Sequence, residues 1–112
     1  MTTKNRTVGL ELTTGNQDIY TVPSNFEAEI DSIYINNATN TKVTFSLDWY
    51  DSQNTTYHTL AETVDLEANS LLQINNGPFW LYKNDALRGL ASANSAVTVV
   101  VKIKEFYMPQ RS

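Results

Sequence analysis

The chain has 112 residues, a formal net charge of −4 at pH 7 and no cysteine. This length suffices for one hydrophobic core, and the acidic balance argues against the basic surface of a nucleic-acid-binding protein. Without cysteine, the chain can form neither a disulfide framework nor a thiolate metal site.

The N-terminal residues 1–6 are polar and form a predicted tail. They lack the apolar centre of a signal peptide, and no apolar run in the chain reaches membrane-spanning length. We therefore expect neither cleaved export nor a membrane anchor. The lack of cysteine also suits folding in a reducing cytoplasm.

The first half of the chain predicts four strands, because short alternating segments are separated by turn residues. They cover residues 8–12, 19–22, 28–36 and 42–50. The last of these is the clearest, with one apolar face formed by Val43, Phe45, Leu47 and Trp49. Such strict alternation indicates a strand with one face on a core and the other on water or a partner.

The second half continues in the same way, with predicted strands at 56–60, 64–66, 70–74 and 79–82. Turn signals fall at 51–54, 67–69, 75–78 and 83–85. Leu87 and Leu90 follow, and a long strand spans 97–107 with Val97, Val99, Val101 and Ile103 on one face. Pro109 cannot continue that strand, so residues 108–112 are predicted to form a tail.

About eight short strands without a helical segment predict an all-β protein. We expect a single antiparallel β-sandwich domain over residues 1–112, either a jelly roll or immunoglobulin-like. The jelly roll is favoured, because the cysteine pair around a buried tryptophan that marks many immunoglobulin domains is missing. Since an unpaired sheet edge invites pairing with another chain, we expect the terminal segments to pair with a neighbouring subunit.

Catalytic groups are sparse. The only histidine, His58, has no second histidine for a metal site and no cysteine to activate. Asp48 and Asp51 flank Trp49 and Tyr50, an arrangement that a glycosidase or a sugar site could use. The simpler interpretation is that Trp49 closes the core and Asp51 starts a turn. Two aspartates are also too few for a calcium loop. The sequence thus predicts no enzyme and no catalytic, cofactor or metal site.

Tyrosines are numerous for so small a domain. A tyrosine ring packs on one side while its hydroxyl stays hydrated, which suits protein interfaces and carbohydrate-binding faces. We therefore predict interface positions at Tyr20, Tyr34, Tyr50, Tyr57, Tyr82 and Tyr107.

Four runs carry a family resemblance: IYTVPSN at 19–25, AEIDSIYINN at 28–37, LEANSL at 66–71 and WLYKNDAL at 80–87. Together with an aspartate-containing strand at 43–51 and a small-residue turn at 91–93, they resemble small β-sandwich virion proteins of tailed bacteriophages. Relatives often carry glycine where this chain has Asn84. Asparagine also tolerates a positive φ, so we expect the turn to be kept.

The resemblance implies a non-enzymatic structural protein of the virion, made in the host cytoplasm. Its expected partners are other virion proteins, either major capsid or neck and tail proteins, and further copies of itself. Head decoration is favoured because the chain is short and has no fibre-like extension. The alternative is a carbohydrate-binding module or tail accessory that contacts host glycans through an aromatic platform at Trp80 and Tyr82.

Overall fold

Nine β-strands build the protein in a computed structural model that describes residues 3–74 and 79–108. The strands are β1 (Thr3–Glu11), β2 (Gln17–Thr21), β3 (Phe26–Asn37), β4 (Val43–Asp51), β5 (Thr56–Leu66), β6 (Ser70–Ile74), β7 (Phe79–Leu81), β8 (Ala86–Ala91) and β9 (Val97–Tyr107). The predicted turn at 75–78 and the predicted tail beyond Met108 lie outside the described residues.

Two antiparallel sheets form the sandwich. The first has the order β1-β9-β3, with β6 and β7 both beside β3, and the second has the order β2-β8-β4-β5. Successive strands from β1 to β4 alternate between the sheets, and β4 and β5 then form a hairpin within the second sheet. This strand arrangement is that of a jelly roll. In an immunoglobulin sandwich the first two strands share a sheet, so the structure confirms the favoured prediction.

The core forms between the sheets because apolar residues alternate along each strand. On β9, Val97, Val99, Val101 and Ile103 are buried. They face the inner side of β4, which carries Phe45 and other apolar residues. Complete burial of one such side chain contributes roughly 1.5–3 kcal/mol. These two strands were the clearest in the sequence, and they are central in their sheets.

The structure differs from the predicted strands in two places. Thr3 to Arg6, which the sequence analysis assigned to a tail, lie in β1 and pair with β9. The predicted strands at 56–60 and 64–66 form one strand, β5. Thr63 has a φ of 50° there, and its N–H donates to Ser46 Oγ at 2.9 Å. This bulge interrupts the alternation of apolar and polar residues along β5. The sequence analysis therefore predicted two strands where there is one.

Asparagines at positive φ shape three of the turns. Asn25 has a φ of 71°, Asn69 of 55° and Asn84 of 66°. The left-handed conformation is cheapest for glycine and next for asparagine. The turn predicted at Asn84 is therefore confirmed.

The loops gather at two ends of the sandwich, each named here after a buried polar residue. The Asp85 end holds the β2–β3, β4–β5 and β7–β8 loops, together with the start of β1 and the end of β9. The Asn37 end holds the β1–β2, β3–β4, β5–β6 and β8–β9 loops. Among the residues described, no helix is long and apolar enough to cross a membrane.

Candidate protein interface

Tyr20, which the sequence analysis placed among the interface tyrosines, is buried inside the domain. It lies on β2 with 4% of its surface exposed, and its hydroxyl donates to Glu105 Oε2 on β9 at 2.5 Å. The ring fills the space between the two sheets because residue 20 falls on the inner face of β2. Ile19 is buried as well, because the register shift between Asp18 and Tyr20 interrupts the alternation of the strand.

Glu105 is the centre of this buried polar cluster. Its side chain is 1% exposed, and it lies 3.1 Å from Arg6 Nη1 and 3.8 Å from Lys4 Nζ, both on β1. A buried carboxylate is tolerated when cations and hydrogen-bond donors surround it. Burial raises the pKa of the Tyr20 hydroxyl far above its usual range, and the hydrogen bond and charge of Glu105 raise it further. Tyr20 therefore stays protonated and links the two sheets.

The sequence analysis missed Glu105. A signal for it existed, because residues 97, 99, 101 and 103 are the inner face of β9 and residue 105 is next in that series. Its counterpart on β1 was also readable, since Lys4 and Arg6 continue the inward face of Val8 and Leu10. Together these patterns place charges of opposite sign at the same end of the core.

Tyr50 and Tyr57 lie together on the outer face of the second sheet. They are opposite each other on β4 and β5, and their ring centroids are 4.8 Å apart. Arg88 on β8 lies 4.8 Å above the Tyr57 ring, and its Nε is 3.2 Å from Asp18 Oδ1. Tyr57 remains 54% exposed. Tyrosine and arginine are enriched in protein interfaces, so this patch has the composition of a contact surface.

Tyr34 lies on the outer face of the first sheet, away from the other tyrosines. It lines an open groove of about 530 Å³ with Asn36, Leu71, Thr98 and Val100. Leu71 on the edge strand β6 is 61% exposed. The groove combines apolar walls with a tyrosine, again in keeping with a protein contact.

Tyr82 and Tyr107 are both at the Asp85 end and are about two-fifths exposed, at 44% and 40%. The Tyr107 ring packs edge-on against Phe26, with centroids 5.4 Å apart. Tyr82 and Phe26 line a cavity of about 240 Å³ with Met108. Five of the six predicted tyrosines thus reach the surface, but they belong to three separate patches.

The cluster at residues 48–51 has a structural role. Trp49 closes the core, as the sequence predicted, and its ring stacks on His58 with centroids 4.9 Å apart. Asp51 accepts hydrogen bonds from Asn54 Nδ2 at 2.8 Å and from the Gln53 N–H at 3.2 Å. The hydrogen bond from Asn54 holds the pKa of Asp51 below its usual range. Asp51 therefore caps a turn.

His58 is an exposed strand residue, with Nε2 3.7 Å from Asp51 Oδ2. Over residues 3–74 and 79–108, no three histidine, aspartate or glutamate side chains converge as metal ligands would.

Asp85 organises the end that bears its name. Its carboxylate accepts from the Ser52 N–H at 2.9 Å, Ser52 Oγ at 2.7 Å, the Tyr82 N–H at 3.0 Å and Trp49 Nε1 at 3.3 Å. The sequence placed Asp85 in a turn but gave no sign that it is buried. A solvent-facing turn aspartate and a buried one have the same local pattern.

One face of the Trp80 ring is covered by a neighbouring aromatic side chain. Its ring is half-buried and stacks on Phe106, with centroids 5.1 Å apart, and its indole N–H donates to Glu27 Oε1 at 2.9 Å. A sugar platform needs an exposed ring face, and neighbouring side chains already occupy one side of this ring. Tyr82, the other residue of the predicted platform, is 44% exposed, and the carbohydrate alternative stays a prediction.

Comparison with protein-family models found no match, and comparison with curated proteins found none. Solved structures do match over nearly the whole chain. A chain from the acidic stable capsid of Helicobacter pylori bacteriophage KHP30 has a TM-score of 0.56 at 10% identity, covering 98% of this chain and 90% of the other. A chain of the extra small virus particle of the prawn Macrobrachium rosenbergii has a TM-score of 0.52 at 12% identity, with coverages of 98% and 80%.

A third similar structure comes from a filament. A chain of the Bacillus endospore appendages, a family of disulfide-linked pili, has a TM-score of 0.55 at 15% identity, covering 96% of this chain and 88% of the other. At such identities the similarity establishes the fold. The protein therefore has a β-fold of the type found in viral capsid chains and in a pilus.

Proposed function

We propose that this protein is a structural, non-enzymatic subunit of a virus particle, and specifically a decoration protein that binds the capsid of a bacteriophage head. The observation that carries the proposal is the similarity to capsid chains of two different viruses over nearly the whole sequence. This domain accounts for most of the length of both chains. A sandwich domain of this size therefore makes up most of a chain in two virus particles, which supports the proposal of a virion subunit.

The surface supports an assembly role. Tyr57 and Arg88 form an exposed patch on the second sheet, and Tyr34 and Leu71 line a groove on the first. These faces point in opposite directions, so one subunit can contact two neighbours. Interfaces of this kind depend on a few aromatic and arginine side chains.

The direct test is electron cryo-microscopy of particles purified from cells that produce this chain. We expect density for the sandwich in many symmetry-related copies on the outside of the shell. Particles assembled without the chain should keep an intact shell if it decorates and lose the shell if it builds it. Particles without any copy of the chain would contradict the virion proposal as a whole.

A matched pair of variants tests the patch. Tyr57→Ala removes the exposed ring, whereas Thr59→Ser alters the next position on the same face of that strand. We expect Tyr57→Ala to lower the number of copies per particle at least about tenfold and Thr59→Ser to leave it unchanged. Equal incorporation of both variants would exclude the patch from the contact.

A filament subunit is the second candidate, because a pilus chain matches as well as the capsid chains do. This chain has no cysteine, so it cannot build a disulfide-linked pilus of that kind. Negative-stain microscopy of the purified protein separates the two candidates. Extended filaments that remain after a reductant is added would favour the filament subunit. Closed shells or shell-bound copies would favour the virion subunit.

A further inference from the structure

The edges of the two sheets differ in how well they are protected against adding another strand. β2 has five residues and a register shift between Asp18 and Tyr20. β5 has two register shifts, and β6 and β7 have five and three residues. Short length and bulges are the usual devices that block pairing at an edge.

β1 is neither short nor bulged, and its protection is limited to the charges of Lys4 and Arg6. It runs for nine residues, from Thr3 to Glu11, and pairs with β9 in one unbroken register. Within residues 3–74 and 79–108, no strand pairs with its other side. β1 is therefore the one long and regular edge among the strands described.

The backbone groups on the free side of β1 can be identified. The Leu12 N–H donates to the Val97 carbonyl at 2.8 Å, so residues 12 and 97 form a hydrogen-bonded pair. Such pairs alternate along an antiparallel ladder, so the even-numbered residues of β1 bond to β9. The odd-numbered residues direct their N–H and carbonyl groups to the free side: Thr3, Asn5, Thr7, Gly9 and Glu11.

The inward side chains of β1 divide into two halves. Val8 and Leu10 are partly buried against the core, whereas Lys4 and Arg6 both lie beside Glu105. One carboxylate for two cations leaves this half of the edge positive.

The neighbouring strand adds to that charge. Lys102 and Lys104 are opposite Thr7 and Asn5 on β9, so four of the eight lysines and arginines of an acidic chain lie around the N-terminal half of β1. Asp31 lines the same groove as Arg6, Lys102 and Lys104, and Glu29 lies opposite Lys104. These carboxylates offset part of the charge on β9, so the excess of cations is carried mainly by Lys4 and Arg6.

We propose that the free edge of β1 adds an extended segment of a partner protein, antiparallel to β1. The segment places apolar side chains beside Val8 and Leu10 and acidic side chains beside Lys4 and Arg6. Backbone hydrogen bonds supply affinity in this mode, and alternate side chains supply specificity. The inference goes beyond the virion proposal, because it depends only on the edge and its charges.

A second copy of this chain fits the edge less well. Two β1 strands paired antiparallel about Thr7 would place Lys4 beside Leu10 and Arg6 beside Val8, and a parallel pair would place like cations together. The acidic strand β5 of another copy is interrupted by the bulge at Thr63. Charge complementarity thus favours a different protein as the partner.

The test uses a labelled peptide with the sequence Thr-Val-Thr-Val-Thr-Glu-Thr-Glu-Thr, which matches β1 residue for residue in antiparallel register. Fluorescence anisotropy measures its binding to the full chain. We expect saturable binding that weakens with salt, and at least about tenfold weaker binding when lysine replaces both glutamates. Failure of the acidic peptide to bind, or equal binding of the basic peptide, would overturn the proposal.

Two controls separate strand addition from simple charge attraction. Methylating the backbone nitrogens of the three central threonines removes the donors that face β1, whereas methylating those of the valines does not. On the protein, Thr7→Pro removes one outward N–H and spares the bonds to β9, and Thr7→Val keeps the N–H. We expect the first change of each pair to weaken binding at least about tenfold and the second to weaken it much less. Equal effects within both pairs would refute strand addition.

Hydrogen exchange gives a readout that does not depend on a variant. Saturating peptide should slow exchange of the Asn5, Thr7 and Gly9 amides at least about tenfold in the unaltered protein. Protection of these amides that instead rises with protein concentration, without peptide, would assign the edge to a second copy and overturn the choice of partner. No protection under either condition would overturn the site itself.

Discussion

Each end of the sandwich has one buried polar side chain that hydrogen-bonds with the surrounding backbone and side chains. The two ends differ in the chemistry of that side chain. At the Asp85 end, a buried carboxylate accepts four hydrogen bonds, three from the loops around it and one from Trp49 on β4. At the Asn37 end, a fully buried amide donates to the carbonyls of Thr41, Leu66 and Glu67 at 2.8–3.1 Å. The same amide accepts from the Thr39 N–H at 3.0 Å and from Thr39 Oγ1 at 2.7 Å.

The difference follows from what each set of loops leaves unpaired. The β4–β5 and β7–β8 loops present donors, and an ionised carboxylate only accepts. The β3–β4 and β5–β6 loops present carbonyls as well as an N–H, and only an amide serves both. The Asp85 end also contains Asp51 and Tyr20, whose pKa values are shifted in opposite directions by their surroundings. We therefore expect pH to act on one end and not on the other.

Removing the Asp85 carboxylate has the largest expected effect. Asp85→Ala leaves the donors of Ser52, Tyr82 and Trp49 without their acceptor in a buried site. We expect a loss of roughly 3–5 kcal/mol in the free energy of unfolding, measured by urea denaturation. Asn84→Gly in the same turn is the control and should change stability by less than about 1 kcal/mol, because glycine accepts the φ of 66°. Comparable losses in both variants would show that turn geometry matters more than the carboxylate.

The second prediction concerns a variant that places a carboxylate at the Asn37 end, like the one at the Asp85 end. Asn37→Asp directs a carboxylate at three carbonyl oxygens, and we expect a loss of about 3 kcal/mol at pH 7. Protonation would restore one donor, so the melting temperature of this variant should rise relative to the parent as pH falls from about 7 to about 4. A constant difference in melting temperature over that range would contradict this account.

The inter-sheet link gives a smaller effect at high pH. Because the folded-state pKa of Tyr20 is raised above its usual value of 10.0, its contribution is complete below that pH and is lost as pH rises further. Tyr20→Phe should cost about 1–2 kcal/mol at pH 7. The variant should then lose less stability than the parent between about pH 9 and pH 11, as followed by thermal melts. Parallel curves would rule out Tyr20 as the source of the alkaline sensitivity.

Asp51 gives the smallest effect, at low pH. Its folded-state pKa lies below the usual value of 3.8, so its contribution is present above that pH and is lost as pH falls through the lowered pKa. Asp51→Asn keeps an oxygen that can accept from the Gln53 N–H, but asparagine does not titrate. We expect the melting temperature of the variant to fall less steeply than that of the parent between about pH 4 and pH 2. An unchanged slope would mean that this turn does not contribute to acid sensitivity.

The sequence predicted strands better than it predicted sites. Residues 42–50 and 97–107 were correct in position and facing, because burial on one side of a strand leaves a period of two in the sequence. β5 was predicted as two strands because its bulge at Thr63 interrupts that period. Tyr20 was grouped with the other tyrosines by residue type alone. Alternation could not identify it as buried, because the bulge in β2 buries both Ile19 and Tyr20.

By itself the sequence determined that this is an all-β sandwich with alternating strands and asparagine-rich turns, because these are local properties of the chain. Only the tertiary structure decided which strands share a sheet and which polar groups meet inside. Tyr20 and Glu105 are separated by 85 positions in sequence, and their hydrogen bond exists only because the two sheets pack face to face. The tertiary structure also decided that β1 is an edge strand, because this depends on which strands pair with it. Among the strands described, only β9 does.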